Sequence, residues 1–323
     1  MSERMVDDAA DPGARFMKVS SFGPLEEVDC ELCGESEFDV IARERIFRAD
    51  FSVVRCRCCG LMRARPRPTA AWKAAFYDPN RNGYAEAHGR DFIYAPDTSR
   101  LVGYRRLLAL LKERRPSGGR LLDVGCAAGL FVDEARRHGF DAMGCDYSEE
   151  AVRAGAARFG VDIIRSPAEH IEVADESFDI VTILHVIEHL PKPIPVLREL
   201  RRILKPGGLL LVETVNYRLH ADLQRFPPAI ALYGWLTGRD RLPWVPFDHL
   251  YHWTDDAMRR AMLQAELADV ELAHLNGYRS EMKPSTLFGL VYAGCDLAAG
   301  IVRRASGNRL DYWPVLLALA TRR

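Results

Sequence analysis

From Arg120 onward, the apolar residues of this chain follow two alternating rhythms. Short apolar runs, RLLDVGC (120–126), FDAMGCD (140–146), VDIIRS (161–166), SFDIVTIL (177–184) and GLLLVETVN (208–216), have the length and composition of buried strands. Between them lie GLFVDEARRHGF (129–140), SEEAVRAGAARFG (148–160) and IPVLRELRRIL (194–204), with apolar residues every three or four positions, as on one helix face. Ser148 is placed to cap the second of these helices at its start and Gly160 at its end. Lys205-Pro206-Gly207-Gly208 stops the third. A further helix, TDDAMRRAMLQAEL with Thr254 as N-cap, leads to the strand ADVELAHL (268–275), and YWPVLLALATRR reads as a last strand. Seven strands alternating with helices predict an α/β fold: a doubly wound parallel sheet with helices on both faces.

The rhythm before Arg120 is different. Residues 1–20 are small and polar, the pattern of a flexible tail. Residues 26–66 hold five of the eight cysteines and read as a separate module. Residues 67–117 read as a helical connector, through WKAAFYDPNRNGY (72–84) and SRLVGYRRLLALLKERR (99–115). The remainder, 118–323, is one domain, interrupted at about 217–253 by an insertion rich in aromatics and prolines. Such an insertion predicts a lid that excludes water from an apolar or ring-shaped substrate. Tyr84 would close the other side or simply pack.

Composition narrows the class. The chain has 323 residues and a net charge of −1, so no global field attracts nucleic acid or a membrane surface. The N-terminus lacks a signal-peptide core, and the longest apolar stretch, 286–302, is broken by Asp296. A cytoplasmic protein without a membrane span is expected, which leaves peripheral membrane contact open. Its cysteines are then thiols or metal ligands rather than disulfides. Cys30-x-x-Cys33 and Cys56-x-x-Cys59 have the spacing of a four-thiolate zinc site, with Cys58 as a spare ligand. Gly34 and Gly60 follow the pairs, where the backbone must bend toward sulfur. A closed thiolate shell makes the zinc structural. Cys126, Cys145 and Cys295 sit in apolar surroundings and are expected to be buried thiols.

Leu122-Asp123-Val124-Gly125-Cys126-Ala127-Ala128-Gly129 follows a strand and opens a helix, where small residues let an anion or ligand approach the backbone. Asp146 ends the next strand, where a carboxylate can accept both ribose hydroxyls of a nucleoside. The alternative for Asp146 is capping of the helix at Ser148. A dinucleotide site would place its second glycine at Ala127, and an acid at Asp123 repels a pyrophosphate but suits an ammonium group.

LLDVGCAAG, GCDYS, ESFDIVTILHVIEHL and LKPGGLLLVET, in this order and spacing, resemble the successive motifs of class I S-adenosylmethionine-dependent methyltransferases over about 118–280. The resemblance implies a Rossmann-like seven-stranded sheet and a methyl donor. Asp123, Gly125, Cys126 and Gly129 would border the methionine end of that donor, Asp146 would hold the ribose, Tyr147 and Glu169 would lie near the adenine, and His185 would form part of the wall. Ala127 stands where the family usually has glycine. The cysteine pairs resemble the zinc ribbon that precedes such domains in bacterial methyltransferases of sugar and secondary-metabolite pathways. The expected acceptor is then a hydroxyl of a sugar, a lipid-linked compound or a secondary metabolite.

The stretch ILHVIEHLP (183–191) ends the strand expected at the centre of the sheet, so His185, Glu188 and His189 should share one face of a turn at the ligand-binding edge. Three roles compete. The cluster can form the donor wall. Glu188 and His189, or His249 from the later DHLYHWT segment, can act as catalytic base. Finally, the cluster can hold a catalytic divalent metal, as the E-x-x-E-H motif does in O-methyltransferases of ubiquinone synthesis and of small-RNA ends. Packing of an aromatic loop is the plain alternative for His249 and His252. Two other functions stand beside small-molecule methylation. Arg55, Arg57, Arg63, Arg65 and Arg67 could make the ribbon a reader of RNA or protein, and the fold could serve as a non-catalytic binding module.

Overall fold

A computed structural model of the chain describes residues 23–46, 49–76, 98–223, 248–275, 301, 304–305 and 313–323. Cys295, Tyr84 and residues 224–247 of the expected lid lie outside them. The large sheet contains β6 (Arg120–Val124), β7 (Asp141–Asp146), β8 (Ile163–Arg165), β9 (Phe178–Leu184), β10 (Leu204–Val215), β12 (Ala268–Leu275) and β13 (Val315–Thr321). Their order is β12-β13-β10-β9-β6-β7-β8, with β9 central. The chain winds outward from β6 through β7 to β8, then returns to β9 on the other side of β6. That reversal lies between β6 and β9, where doubly wound folds open a crevice.

The sheet is mixed rather than wholly parallel. The five strands from β6 to β10 run parallel, whereas β13 is antiparallel to both β10 and β12. The last strand inserts between two strands already placed, and no local pattern in 312–323 encodes that pairing. Strand β10 also begins earlier than expected, at Leu204, and absorbs Lys205–Gly208 as an irregularity before regular pairing resumes at Leu209.

Period-two alternation assigns each strand's residues to two cores. Leu122, Val124, Val181, Ile183, Leu210, Val212, Leu316 and Ala318 pack on one face, with the helices Pro193–Ile203 and Asp255–Gln264. Leu121, Ile180, Leu209, Leu211, Leu317 and Leu319 pack on the other, with Thr98–Arg114 and Leu130–Arg137. Fully burying one such side chain contributes roughly 1.5–3 kcal/mol. The helix Glu149–Phe159 begins as expected: Ser148 accepts from the Ala151 amide, and Gly160 ends the helix at φ 60°. Thr254 precedes the last helix without a capping side-chain bond.

The N-terminal region forms a four-stranded antiparallel sheet of β2 (Phe38–Ile46), β3 (Ala49–Cys56), β4 (Met62–Arg65) and β11 (Tyr251–His252), in the order β11-β4-β3-β2. Strand β11 comes from the far end of the insertion, so the two halves of the chain share one sheet. Beside it, β1 (Leu25–Glu26) pairs with β5 (Arg67–Pro68), and a short helix, Ala70–Phe76, follows. Among the described residues no helix is long and apolar enough to cross a membrane.

Candidate active site

The glycine loop joins β6 to the helix Leu130–Arg137. Gly125 and Gly129 adopt φ 74° and 79°, and a Cβ at Gly125 would lie 2.4 Å from Val186 Cγ2. Here glycine is required by both conformation and space. Ala127 is left-handed too, at φ 47°, a conformation that disfavours a side chain. Its amide donates to Asp146 Oδ2 at 2.8 Å, while the Ser148 amide donates to Oδ1 at 2.8 Å. Asp146 therefore links the loop to Ser148, and it is Ser148, not Asp146, that caps the next helix. Burial raises the Asp146 carboxyl above its ordinary range, opposed by these two amide bonds.

Asp123 sits buried on β6 opposite Thr182 of β9, whose hydroxyl donates to Oδ1 at 2.7 Å. Burial pushes its carboxyl up to about 7; the Thr182 bond opposes this, and the charges of Asp146 and Glu213 add to it. A cation placed here would relieve that cost. Cys126 and Cys145 are buried thiols, as expected. Tyr147 and Glu169 stand exposed on the same edge of the sheet.

At the end of β9 the chain turns sharply. His185 has φ 54°, and a short 3-10 turn covers Ile187–His189. The three polar side chains divide between two settings. His185 Nε2 lies 2.9 Å from buried Glu213 of β10, and its Nδ1 lies 3.5 Å from Glu188. Burial opposes a charge on His185, but these two carboxylates raise it to about 10. Burial would raise the Glu188 carboxyl, yet the neighbouring His185 and the charge of His189 bring it down to about 2. Among the described residues, neither Glu188 oxygen has a polar hydrogen-bonding partner closer than His185 Nδ1 at 3.5 Å, although the residue is only 1% exposed.

His189 faces the other way. Its Nδ1 is 3.0 Å from the Asp248 carbonyl oxygen and 3.2 Å from Asp248 Oδ1. A carbonyl only accepts, so Nδ1 carries a proton in either charge state, and Nε2 is the nitrogen that gains or loses one. Burial opposes a charge on His189, but Asp248 outweighs it and raises the imidazole above its ordinary value. His249 packs edge-on against His189 with ring centroids 4.8 Å apart, and its Nδ1 is 2.9 Å from Tyr217 Oη. Burial, then the charge of His189, lowers His249 to about 4 and keeps it neutral. Ligand atoms of Glu188, His189 and His249 all lie within 4.8 Å of one another, a set that could hold a metal ion.

The sequence pointed to every member of this cluster except those that orient it. Asp248 was visible only as the residue before His249. Lys73 and Glu213 carried no signal, because nothing in the chain's local pattern links them to the crevice.

In the N-terminal module, Cys30, Cys33, Cys56 and Cys59 converge, with sulfur separations of 3.4 Å (Cys30–Cys59) and 3.5 Å (Cys33–Cys56). Tetrahedral thiolates on zinc lie about 3.8 Å apart, so the donor set fits that ion with small adjustment. Gly34 and Gly60 are left-handed at φ 75° and 77° and donate to the Cys30 and Cys56 carbonyls, forming the two knuckles. The hydrogen bond with Cys59, then burial, holds the Cys30 thiol far above its usual range, a cost that a bound cation removes.

Four of the five arginines singled out beside the cysteines face acidic groups of the same region, and Arg57 keeps 57% of its side chain exposed. Arg63 and Arg67 are buried; Arg67 pairs with Glu26 and Glu31, Arg65 with Glu27, and Arg57 with Asp39 and Glu37. These acidic partners are close in space but 18 to 41 positions away in sequence.

A protein of Parvibaculum lavamentivorans named ubiquinone biosynthesis O-methyltransferase is 34% identical over 122 residues, 36% of this chain and 48% of the relative. One of the same name from Ruegeria pomeroyi is 32% identical over 160 residues, 47% of this chain and 62% of the relative. The chain thus spans about half to three-fifths of the length of these curated relatives. A solved S-adenosylmethionine-dependent methyltransferase of Mesorhizobium loti aligns with 66% of this chain and 96% of its own, at 20% identity and a TM-score of 0.45. The family model described as a methyltransferase domain matches residues 97–272, more than half of the chain, and the protein belongs to that family.

Proposed function

We propose that the protein transfers a methyl group from S-adenosylmethionine to a hydroxyl of a small-molecule acceptor. One observation carries this reading: Asp123 near the end of β6, Asp146 at the end of β7 and His189 just past β9 all lie at the carboxyl edge of the parallel strands. The donor supplies a methyl already activated on a sulfonium. Asp123 receives its ammonium group, the amides and glycines of 125–129 admit its methionine end, and Asp146 accepts from its ribose hydroxyls. Tyr147, Glu169, Cys126 and His185 border the remainder. His189 Nε2 takes the proton of the acceptor hydroxyl, and the freed oxygen attacks the methyl carbon in line as the carbon–sulfur bond breaks. Asp248 stabilises the imidazolium so formed, and neutral His249 lines the acceptor side. The curated relatives' names support a small hydroxyl acceptor; sugar, lipid-linked and secondary-metabolite hydroxyls remain the proposed classes.

The four cysteines hold a structural zinc in this proposal. A second reading has Glu188, His189 and His249 hold a divalent metal that lowers the pKa of the acceptor hydroxyl, favoured by the convergence of their ligand atoms within 4.8 Å and the burial of Glu188. The test is transfer of labelled methyl from S-adenosylmethionine into a fractionated extract of the source organism, with and without chelator. Label in the solvent-soluble fraction supports a small acceptor, and loss with chelator selects the metal reading. Label in RNA or protein overturns the small-molecule assignment. Absence of donor binding by calorimetry would leave a non-catalytic fold.

A further inference from the structure

We propose that Lys73 and Asp248 are positioning residues for His189, so that the N-terminal segment completes an active site that the family domain lacks by itself. The inference rests on the reading of His189 as the proton acceptor. Lys73 lies on the short helix Ala70–Phe76, outside the 97–272 family match. Its Nζ donates to the Asp248 carbonyl oxygen at 3.2 Å and lies 3.8 Å from Asp248 Oδ1. His189 Nδ1 approaches these same two oxygens. A carbonyl oxygen has two lone pairs, and here one faces a lysine and the other a histidine. The two donors hold Asp248 between them, and Asp248 in turn fixes which His189 nitrogen carries the proton.

Burial makes the arrangement costly to keep without a role. The side chains of Lys73 and Asp248 are 9% and 8% exposed. Taking an ammonium out of water is unfavourable, and an apolar residue of similar size would stabilise the fold as well or better. Trp72 and Phe76, which flank Lys73 on the helix, already supply stacked apolar packing.

The segment bearing Asp248 is clamped from both sides. The Ala64 amide donates to the Leu250 carbonyl at 2.9 Å, and β11 pairs with β4 through Tyr251–Arg63 and His252–Met62. Arg67 donates to Tyr251 Oη at 3.0 Å and to the Pro191 carbonyl at 2.8 Å, just beyond the turn that bears His189. Tyr251 Oη donates to that same carbonyl at 3.0 Å. The N-terminal region thereby holds Asp248, the partner of His189, and braces the turn that carries His189 itself.

The test uses the full chain with Lys73→Met and Asp248→Asn, each followed by three measurements: donor binding by calorimetry, the side-chain nitrogen spectrum of His189 assigned with His189→Gln, and the rate of label transfer into the solvent-soluble fraction. In the unaltered protein His189 should give a single Nδ1–H tautomer. In Lys73→Met the donor should bind within twofold of the unaltered protein, the His189 signal should shift toward mixed tautomers, and transfer should fall at least tenfold. An unchanged His189 spectrum and rate in folded Lys73→Met overturns the proposal. If that variant does not fold, Asp248→Asn, nearly identical in shape, decides by the same spectrum. Failure of the underlying reading looks different: His189→Gln would then leave transfer unchanged, while the spectra still report on Lys73 and Asp248.

Discussion

Leu121, Leu122, Val181, Ile183, Leu210 and Leu211 are fully buried in the large sheet, whereas the depths of the small sheet hold Cys30, Cys56, Arg63 and Arg67 beside Val53 and Phe51. The first region is held by apolar packing against helices on two faces, and one of those cores also takes in Cys30, Leu32, Cys56, Cys59 and Leu61 of the second. The second adds to that shared packing four convergent cysteines, buried guanidinium groups and pairing with β11 from the other half of the chain. The difference teaches how the regions depend on each other. In the proposed function the large sheet supplies the donor site, and the small one helps to position Asp248.

The largest expected effect tests that dependence. Cys30→Ser together with Cys33→Ser should release one zinc per chain, make residues 23–76 sensitive to protease and abolish transfer, while donor binding to the large sheet persists. Metal analysis that finds no zinc in well-folded unaltered protein would sink the zinc assignment. Next, His189→Gln should lower the transfer rate by roughly 10²–10⁴-fold with donor affinity little changed. On the large-sheet side, Leu122→Ala should cost about 2–5 kcal/mol in thermal or denaturant unfolding, with the cysteine cluster still metal-loaded. Asp146→Ala should weaken donor binding by about 1.5–3 kcal/mol, the range for a hydrogen bond to a charged group, as read by calorimetry.

The smallest effect concerns protons. Asp123 is raised to about 7 by burial, well above its ordinary carboxylate value. Below about pH 4 both folded and unfolded states keep it protonated. Between about 4 and 7 the unfolded chain loses that proton while the folded chain retains it, so this residue's contribution to stability falls as pH rises across that window. A donor ammonium beside Asp123 favours the carboxylate. Binding near pH 6 should therefore release up to one proton, measurable by calorimetry in buffers of different ionisation enthalpy, and Asp123→Asn should remove the release.

Much of the large sheet was legible because its signals are local. Strand and helix periods, the Ser148 cap and the Gly160 stop each depend on residues within a few positions of one another. The two knuckles were legible for the same reason: a Cys-x-x-Cys turn followed by glycine specifies its own geometry. The pairing of the arginine stripe was not legible, because its acidic partners, Glu26, Glu27, Glu31 and Asp39, are distant in sequence and adjacent only after folding. His185, Glu188 and His189 were found together, but their separation into a Glu213 pair and an Asp248 pair follows from which strands and segments surround the turn.

The sequence by itself determined the elements, the left-handed turns at Gly34, Gly60, Gly125 and Gly129, the convergence of the cysteines in pairs and the acids that end β6 and β7. Tertiary structure alone decided that β13 enters between β10 and β12, that β11 leaves the insertion to join β4, and that Lys73, His189 and Asp248 meet. Local patterns encode which face of an element is apolar. They do not encode which of several apolar faces will bury one another, and it is that choice, made by the whole chain at once, that brings residue 73 to residue 248.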